Sequence, residues 1–150
     1  MRARRGSWVV AGAVLLASTA CASSGGGAAT TIDSAYGAMS SESAVGQFLD
    51  AAKRSDYKLM SRLFGTRAGP AEQTFGRVET EQRMYILAAL LQHRSYSLRR
   101  MPVAEEEGHE RVTADMVGTR NGDVVVPFVV ANNKGRWFVE QIGTDALSGN

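Results

Sequence analysis

The chain has 150 residues, enough for one folded domain, and its 17 Lys and Arg nearly balance its 15 Asp and Glu. Three basic residues, Arg2, Arg4 and Arg5, precede every acidic residue, so the chain after residue 20 carries 14 basic and 15 acidic side chains, a formal charge of −1. This balance excludes a nucleic-acid binder that works through a broad basic face. A single cysteine excludes an internal disulfide framework and a zinc site built from several cysteines.

Residues 1–20 have the pattern of a secretory signal peptide. The arginines precede an uncharged run whose apolar centre, residues 8–17, is half the length of about 20 residues that a membrane-spanning helix needs. The small residues Ser18, Thr19 and Ala20 directly precede Cys21, the only cysteine. This arrangement resembles the lipobox of bacterial lipoproteins, although Leu is commoner than Ser three positions before the cysteine.

We therefore expect a peptidase to cut before Cys21 and this cysteine to carry lipid; the alternative is an ordinary signal peptide with a cysteine there by chance. Two acyl chains already give stable anchoring, so the exported protein is expected to stay on a bacterial envelope membrane. Residues 21–41 are predicted to be a lipidated cysteine followed by a flexible tether. The residues of this segment are mostly small and polar and include three consecutive glycines. A tether of about 20 residues has an r.m.s. span of ~25 Å and lets a domain reorient freely.

Residues 42–144 are expected to form the folded domain, with a C-terminal tail at residues 145–150. Apolar side chains at helical spacing and the N-cap residue Asp56 predict helices in the first half of the domain. These three helices are expected at residues 41–54, 57–64 and 79–94. The stretch between the second and third helices contains three glycines and Pro70, and is expected to be a loop.

After residue 95 the apolar residues alternate with a period of two, which predicts four antiparallel strands connected in chain order. The strongest turn signal is Asn121-Gly122, because a type I′ turn needs positive φ at both central residues. Residues 132–135 predict the next turn. Three helices followed by a four-stranded antiparallel sheet make an α+β fold.

Pairing across these two turns predicts which side chains share a sheet face. The first turn places Asp115 opposite Phe128, and the second places Val130 opposite Trp137. One face then carries Thr113, Asp115, Val117, Val126, Phe128, Val130, Trp137, Val139 and Gln141. The other face is also apolar, so the sheet is expected to need a second cover besides the helices. A bulge at Pro127, which cannot donate a ladder hydrogen bond, would reverse this sorting beyond it.

The opening helix, with the run FLDAAKRSDY, and the last strand, GRWFVEQI, resemble the nuclear transport factor 2-like superfamily over about residues 44–142. Small bacterial secreted and lipoprotein members of unknown function are the most similar. The resemblance implies a curved sheet that wraps against three helices as a cone with a pocket, and a homodimer. Isomerases, dehydratases, transport adaptors and oligomerisation modules share this fold, so the function has to be argued from the site.

In such a cone, the predicted sheet face that carries the aromatic residues Phe128 and Trp137 is expected to line the pocket. Phe128 and Trp137 are expected to form its walls, and Thr113, Asp115 and Gln141 are expected to supply its polar groups. Asp115 is the only acid on that face, and no positioned partner that would stabilise developing charge accompanies it. We therefore expect binding and no catalytic residue; in the alternative, Asp115 lies at a rim and caps a neighbouring backbone.

The two histidines predict no further chemistry. His93 is expected to have a structural role near the end of the third helix. His109 lies among carboxylates, residues 105–107 and Glu110, but this run lacks the regular oxygen-ligand spacing of a calcium loop. The sequence thus predicts neither a metal site nor a cofactor.

The leading interpretation is a lipid-anchored envelope domain without catalytic activity. Its expected partners are the membrane, through Cys21, a second copy of the chain, and either a small apolar or hydroxylated ligand or another protein; no nucleic acid is expected. Two alternatives stay open. One is a small enzyme of the isomerase or dehydratase kind with a carboxylate in the cone, and the other is a purely structural homodimer.

Overall fold

The computed structural model describes residues 36–101 and 107–148. The expected signal peptide, Cys21 and residues 22–35 of the expected tether lie outside the described residues, as do residues 102–106 and 149–150. Within the described ranges, no helix is long and apolar enough to cross a membrane.

The described chain folds as four α-helices and six strands, with a final 3-10 helix. In chain order these are α1 (Ser41–Arg54), α2 (Tyr57–Leu63), β1 (Gly65–Thr66), β2 (Gly69–Pro70), α3 (Ala71–Phe75), α4 (Arg77–Leu90), β3 (Ser95–Met101), β4 (His109–Thr119), β5 (Gly122–Asn133), β6 (Arg136–Ile142) and the 3-10 helix Asp145–Leu147. β3 to β6 form one antiparallel sheet in chain order. The α+β fold with a four-stranded antiparallel sheet is therefore confirmed.

The prediction of three helices is wrong. The segment expected to be a loop contains the small β1–β2 hairpin and the short helix α3, so α4 is the fourth helix. α4 begins at Arg77 and ends at Leu90, four residues before the predicted end. The Gln92 side chain, which donates to the carbonyl of Ala88 at 2.9 Å, replaces the helical hydrogen bond that a further turn would have made.

Local capping explains the two helices that were predicted well. The Ser40 hydroxyl accepts a hydrogen bond from the backbone of Ser43 at the start of α1, and Asp56 accepts one from Leu59 at the start of α2. Between these helices, Ser55 has a φ of 57° and ends α1. α1 packs directly on the sheet, whereas α4 packs on the other three helices.

The hairpin of β4 and β5 differs from its prediction in the position of the turn. Thr119 lies opposite Gly122, so that Arg120 and Asn121 form the turn. Gly122 has a φ of 90°, whereas Asn121 is not among the residues with positive φ, which excludes the expected type I′ turn.

A bulge in β4 then sets the register of the whole hairpin. The pairing shifts between residues 116 and 119, where Gly118 has a φ of 69°. In consequence Val112 lies opposite Phe128, and Asp115 lies opposite Val125. The prediction that Asp115 lies opposite Phe128 is wrong, and so is the sorting of faces that followed from it.

A second register shift makes the pairing of β5 with β6 different from the predicted one. Val129 lies opposite Gln141 and Val130 lies opposite Val139, so Glu140 is the extra residue of a bulge. Trp137 lies opposite Asn132, and its predicted pairing with Val130 is also wrong.

The two faces of the sheet follow from this register. The inner face, which packs against the helices, consists of Tyr96, Leu98, Val112, Ala114, Met116, Val124, Val126, Phe128, Val130, Trp137, Val139 and Ile142. The outer face carries Ser97, Arg99, Met101, Arg111, Thr113, Asp115, Val125, Pro127, Val129 and Gln141. Towards one end of the sheet it also carries His109, Ala131 and Phe138, and there Ala131 and Phe138 are buried, with the Phe138 ring close to Gly37 and Gly65. The main core lies between the inner face and the helices.

The free edge of β6 is partly covered by the chain that precedes α1. Ala38 and Trp137 exchange two backbone hydrogen bonds, of 2.8 and 2.9 Å. Phe64 makes a parallel bridge to Val139 further along the same strand. The start of the described chain is thus fixed to the last strand of the sheet.

Candidate functional site

The residues expected to line one pocket lie on two sides of the sheet. Phe128 is fully buried on the inner face, and Trp137 is half-buried against the same core. Thr113, Asp115 and Gln141 belong to the outer face. The structure therefore does not bring the five residues together, because the bulges in β4 and β6 change which residues share a face.

An ion pair dominates the polar part of the outer face. Arg99 on β3 donates to both carboxylate oxygens of Asp115 on β4, with Nε–Oδ2 and Nη2–Oδ1 distances of 2.8 and 2.7 Å. The hydrogen bond and the charge of Asp115 raise the pKa of Arg99. With both oxygens bound to one guanidinium, the carboxylate is held in a fixed plane.

Apolar side chains surround this ion pair. Val125 is 53% exposed, Met101 and Pro127 are also exposed, and Val129 is half-buried. Thr113, opposite Pro127, is buried. The outer face is therefore an open surface that combines apolar area with a charge pair of fixed geometry, which are properties of a protein contact surface.

A second pair of groups was not predicted from the sequence. His109 Nε2, at the start of β4, lies 2.8 Å from Glu140 Oε2, and both side chains are largely buried. Glu140 is the extra residue of the β6 bulge. No local signal indicates this pair, because 31 positions separate the two residues and β5 lies between their strands.

Glu110, the carboxylate that follows His109 in the sequence, binds a different partner. Glu110 accepts a short hydrogen bond from the Ser41 hydroxyl, and it lies opposite Val130 of the inner face. Residues 105 and 106 lie outside the described residues. Among the side chains that the structure describes, no group of three or more His, Cys, Asp or Glu is arranged to hold a metal ion.

His93 is buried in the connection between α4 and β3. Its Nδ1 lies 2.7 Å from the carbonyl oxygen of Leu91, and its ring meets the ring of Tyr96 edge-on at 5.3 Å. These contacts hold the chain where it leaves the helix, which is a structural role.

A groove of about 530 Å³ lies at the C-terminal end of α4, within the size range of small-molecule sites. The β4–β5 turn and the 3-10 helix complete its walls. It is lined by Ala89, Leu90, Arg120, Asn121, Leu147 and Ser148. Asn121 donates to the carbonyl of Leu147 at 2.6 Å, so the wall is fixed by a hydrogen bond. None of the residues predicted for the pocket lines this groove.

No family model, curated protein or solved structure matches the chain. The function therefore has to be argued from the sequence and from the geometry of these sites.

Proposed function

We propose that this protein is a bacterial envelope lipoprotein, anchored through Cys21, whose domain acts without catalysis by binding protein through the outer sheet face. The first partner is a second copy of the chain. The observation that carries the proposal is the outer face itself, where exposed apolar side chains surround the fixed Arg99–Asp115 pair. We further propose that the domain has the nuclear transport factor 2-like fold, which the order of helices, small hairpin and four-stranded sheet supports.

The packing of the inner face favours protein binding over a ligand held between helices and sheet. Val126, Phe128 and Val130 are completely buried there against helix side chains. A ligand in that position would have to displace close-packed core atoms. The outer face needs no such rearrangement, because its apolar side chains are already accessible.

The distribution of charge on the outer face favours self-association. Arg99 and Asp115 carry opposite charges and lie side by side on neighbouring strands. A two-fold axis through such a face brings the arginine of each copy toward the aspartate of the other, which makes the surface self-complementary. Two sheets packed face to face bury their apolar residues at a separation of about 10 Å.

The anchor is tested by labelling cells with a palmitate analogue. We expect the wild-type chain to incorporate the label and to lose residues 1–20, and Cys21→Ala to do neither. Recovery of wild-type protein that is cleaved elsewhere and carries no lipid would contradict the anchor.

Self-association is tested by disulfide trapping in the lipidated protein, in which acylation blocks the thiol of Cys21. We expect Val125→Cys to form disulfide-linked dimers under mild oxidation. Lys58→Cys is a matched control, because Lys58 is exposed on α2 and belongs neither to the sheet nor to α4. Equal trapping at both positions, or none at Val125→Cys, would contradict the proposed interface.

One observation favours the rival function of a small isomerase or dehydratase. The largely buried His109–Glu140 pair provides a proton donor and an acceptor at hydrogen-bond distance. The two functions are separated by extracting purified protein and identifying bound small molecules. A molecule that His109→Gln loses and Val125→Arg retains would favour the enzyme, whereas loss of dimers in Val125→Arg alone would favour the binding module.

A further inference from the structure

The surface of α4 that faces away from the core is apolar, although the fold does not require it. Val78, Tyr85 and Ile86 are 70, 63 and 60% exposed, and Ala89 is exposed as well. With Gln82, these positions follow the spacing i, i+4, i+7, i+8 and i+11, which places them on one side of a helix. We call these five positions the α4 stripe; Gln82 is its one polar member.

The α4 stripe is separate from the side of the helix that stabilises the domain. The residues that α4 buries are Thr80, Met84 and Ala88, which lie on the side that faces the rest of the domain. Phe75, at the end of α3, extends the exposed apolar surface beyond the start of α4. Half of the exposed large apolar side chains in the described part of the chain therefore lie on α4 or directly before it.

The charged residues beside the stripe neutralise one another. Arg77 pairs with Glu81 at 3.0 Å, and Arg83 pairs with Glu79 at 2.7 Å. The guanidinium of Arg83 also lies 4.2 Å from the centre of the Phe75 ring. With no net charge in these pairs, contact with this surface depends on apolar area, and Tyr85 is a residue type that suits the headgroup level of a bilayer.

The start of the described chain lies at the same end of α4. The Tyr36 hydroxyl donates to Glu72 Oε2 of α3 at 3.0 Å. This hydrogen bond raises the pKa of Tyr36, whereas the charge of Arg77, the first residue of α4, acts in the opposite direction. The described part of the chain therefore starts at the corner between α3 and α4, where the α4 stripe begins.

Few residues separate the start of the described domain from the proposed anchor at Cys21. Tyr36 follows Cys21 by 15 positions, and a small, polar chain of that length has an r.m.s. span of ~21 Å. This is less than the width of a small domain, so the corner between α3 and α4 stays near the bilayer that holds the lipid. Since the apolar surface begins at this corner, the bilayer is the apolar partner within reach.

We propose that the α4 stripe lies in the interface of the membrane that holds Cys21, so that the domain docks on lipid with its outer sheet face turned away. The inference rests on the proposed lipid anchor. It replaces the expectation of a freely reorienting domain with one fixed orientation, in which the surface proposed for self-association stays accessible.

The test uses the full lipidated protein in vesicles of phosphatidylcholine and phosphatidylglycerol at a ratio of seven to three. An environment-sensitive fluorophore is attached to Ile86→Cys or, as the matched control, to Val125→Cys, which is 53% exposed on the opposite side of the sheet. Val78→Cys is a second reporter on the stripe, in case one label disturbs folding. We expect doxyl-labelled lipids to quench the fluorophore at Ile86 and Val78 several-fold more than at Val125.

Equal quenching at the stripe and at Val125 would overturn the inference. It would also be overturned if the label at Ile86 were protected from a water-soluble quencher without being quenched by lipid, because another protein or a second copy would then cover the stripe. Palmitate labelling of the same samples separates the two proposals. A chain that incorporates lipid but shows no selective quenching contradicts the docking alone, whereas a chain without lipid contradicts the anchor and the docking with it.

Discussion

Alternate residues of the same strands build the inner and the outer face of the sheet, but the two faces have different surroundings. On the inner face, Val112, Val126 and Phe128 are completely buried beneath α1 and its neighbours. On the outer face, Val125 and Pro127 are exposed beside an ion pair. Residue type alone does not distinguish them, because both faces carry valines. The bulges at Gly118 and Glu140 decide which alternate set faces the helices.

The largest expected difference between the two faces is the loss of stability when one side chain on each face is truncated. Phe128→Ala leaves a cavity in the closed inner face and is expected to lower the free energy of unfolding by about 3–5 kcal/mol. Val125→Ala removes an exposed side chain and is expected to change it by less than about 0.5 kcal/mol. Urea unfolding followed by circular dichroism measures both; similar losses would mean that the outer face is also part of a core.

The bulge that separates the faces is tested at Gly118. An added Cβ there would lie 2.9 Å from the Cβ of Arg94, at a φ of 69°. We expect Gly118→Ala to cost about 2–4 kcal/mol, from both the strained φ and the close contact. Gly122→Ala is the control, since Gly122 has a φ of 90° but no atom within 4 Å of an added Cβ, and is expected to cost about 1–2 kcal/mol. Equal costs would show that the contact with Arg94 can relax.

Tyr96, on the edge strand β3 of the inner face, is expected to make the stability of the domain depend on pH in the alkaline range. Burial and the hydrogen bond to Asp50, at 3.0 Å, raise its pKa from 10.0 to about 12. Because the unfolded chain ionises first, stability present below pH 10 is expected to fall as the pH rises from 10 to about 12. Tyr96→Phe should be less stable at neutral pH, and its stability should fall less over that range. Unfolding at several pH values measures this; an unchanged slope would contradict the assignment.

The smallest effect on folding is expected from the ion pair of the outer face. The Arg99 side chain is 60% exposed, so Asp115→Asn should change stability little, and less still at high salt. If copies associate through this face, the same substitution should weaken association measured by sedimentation. Glu79→Gln, which removes another exposed ion pair on α4, is the control and should leave association unchanged. Weakening by both variants would indicate a general charge effect.

Features with a local cause were predicted from the sequence. The apolar stripe of α1 predicted its bounds, and Asp56 predicted the start of α2. The segment after α2 was expected to be a loop because its glycines and Pro70 are typical of loops. In the folded domain, this segment instead forms the β1–β2 hairpin, in which Gly65 allows a close approach. A Cβ at Gly65 would lie 2.5 Å from the carbonyl oxygen of Gly69 and 2.9 Å from the ring of Phe138, and the second contact comes from a distant part of the chain.

The candidate sites were predicted less well, because they depend on register. Asp115 is a notable acid in the sequence, but its partner Arg99 is not predictable, because their contact depends on the pairing of β3 with β4, which the two predicted turns do not set. The His109–Glu140 pair requires both the strand order and the second bulge. Neither bulge has a sequence pattern strong enough to place it to the residue, and an error of one residue exchanges the two faces.

The bridge between Ala38 and Trp137 has a mechanical consequence. Any pull that reaches the domain from its N-terminal side arrives at Tyr36 and next at this bridge, whose two backbone hydrogen bonds join the incoming chain to β6. The hydrogen bond from Gly37 to the carbonyl of Arg62, at 2.9 Å, shares the load with α2. Force is therefore distributed to the sheet and to a second helix before it can unwind α1. We therefore expect a domain that is pulled by its N-terminal end to resist extension, because the first hydrogen bonds that bear the load are those to the sheet and to α2.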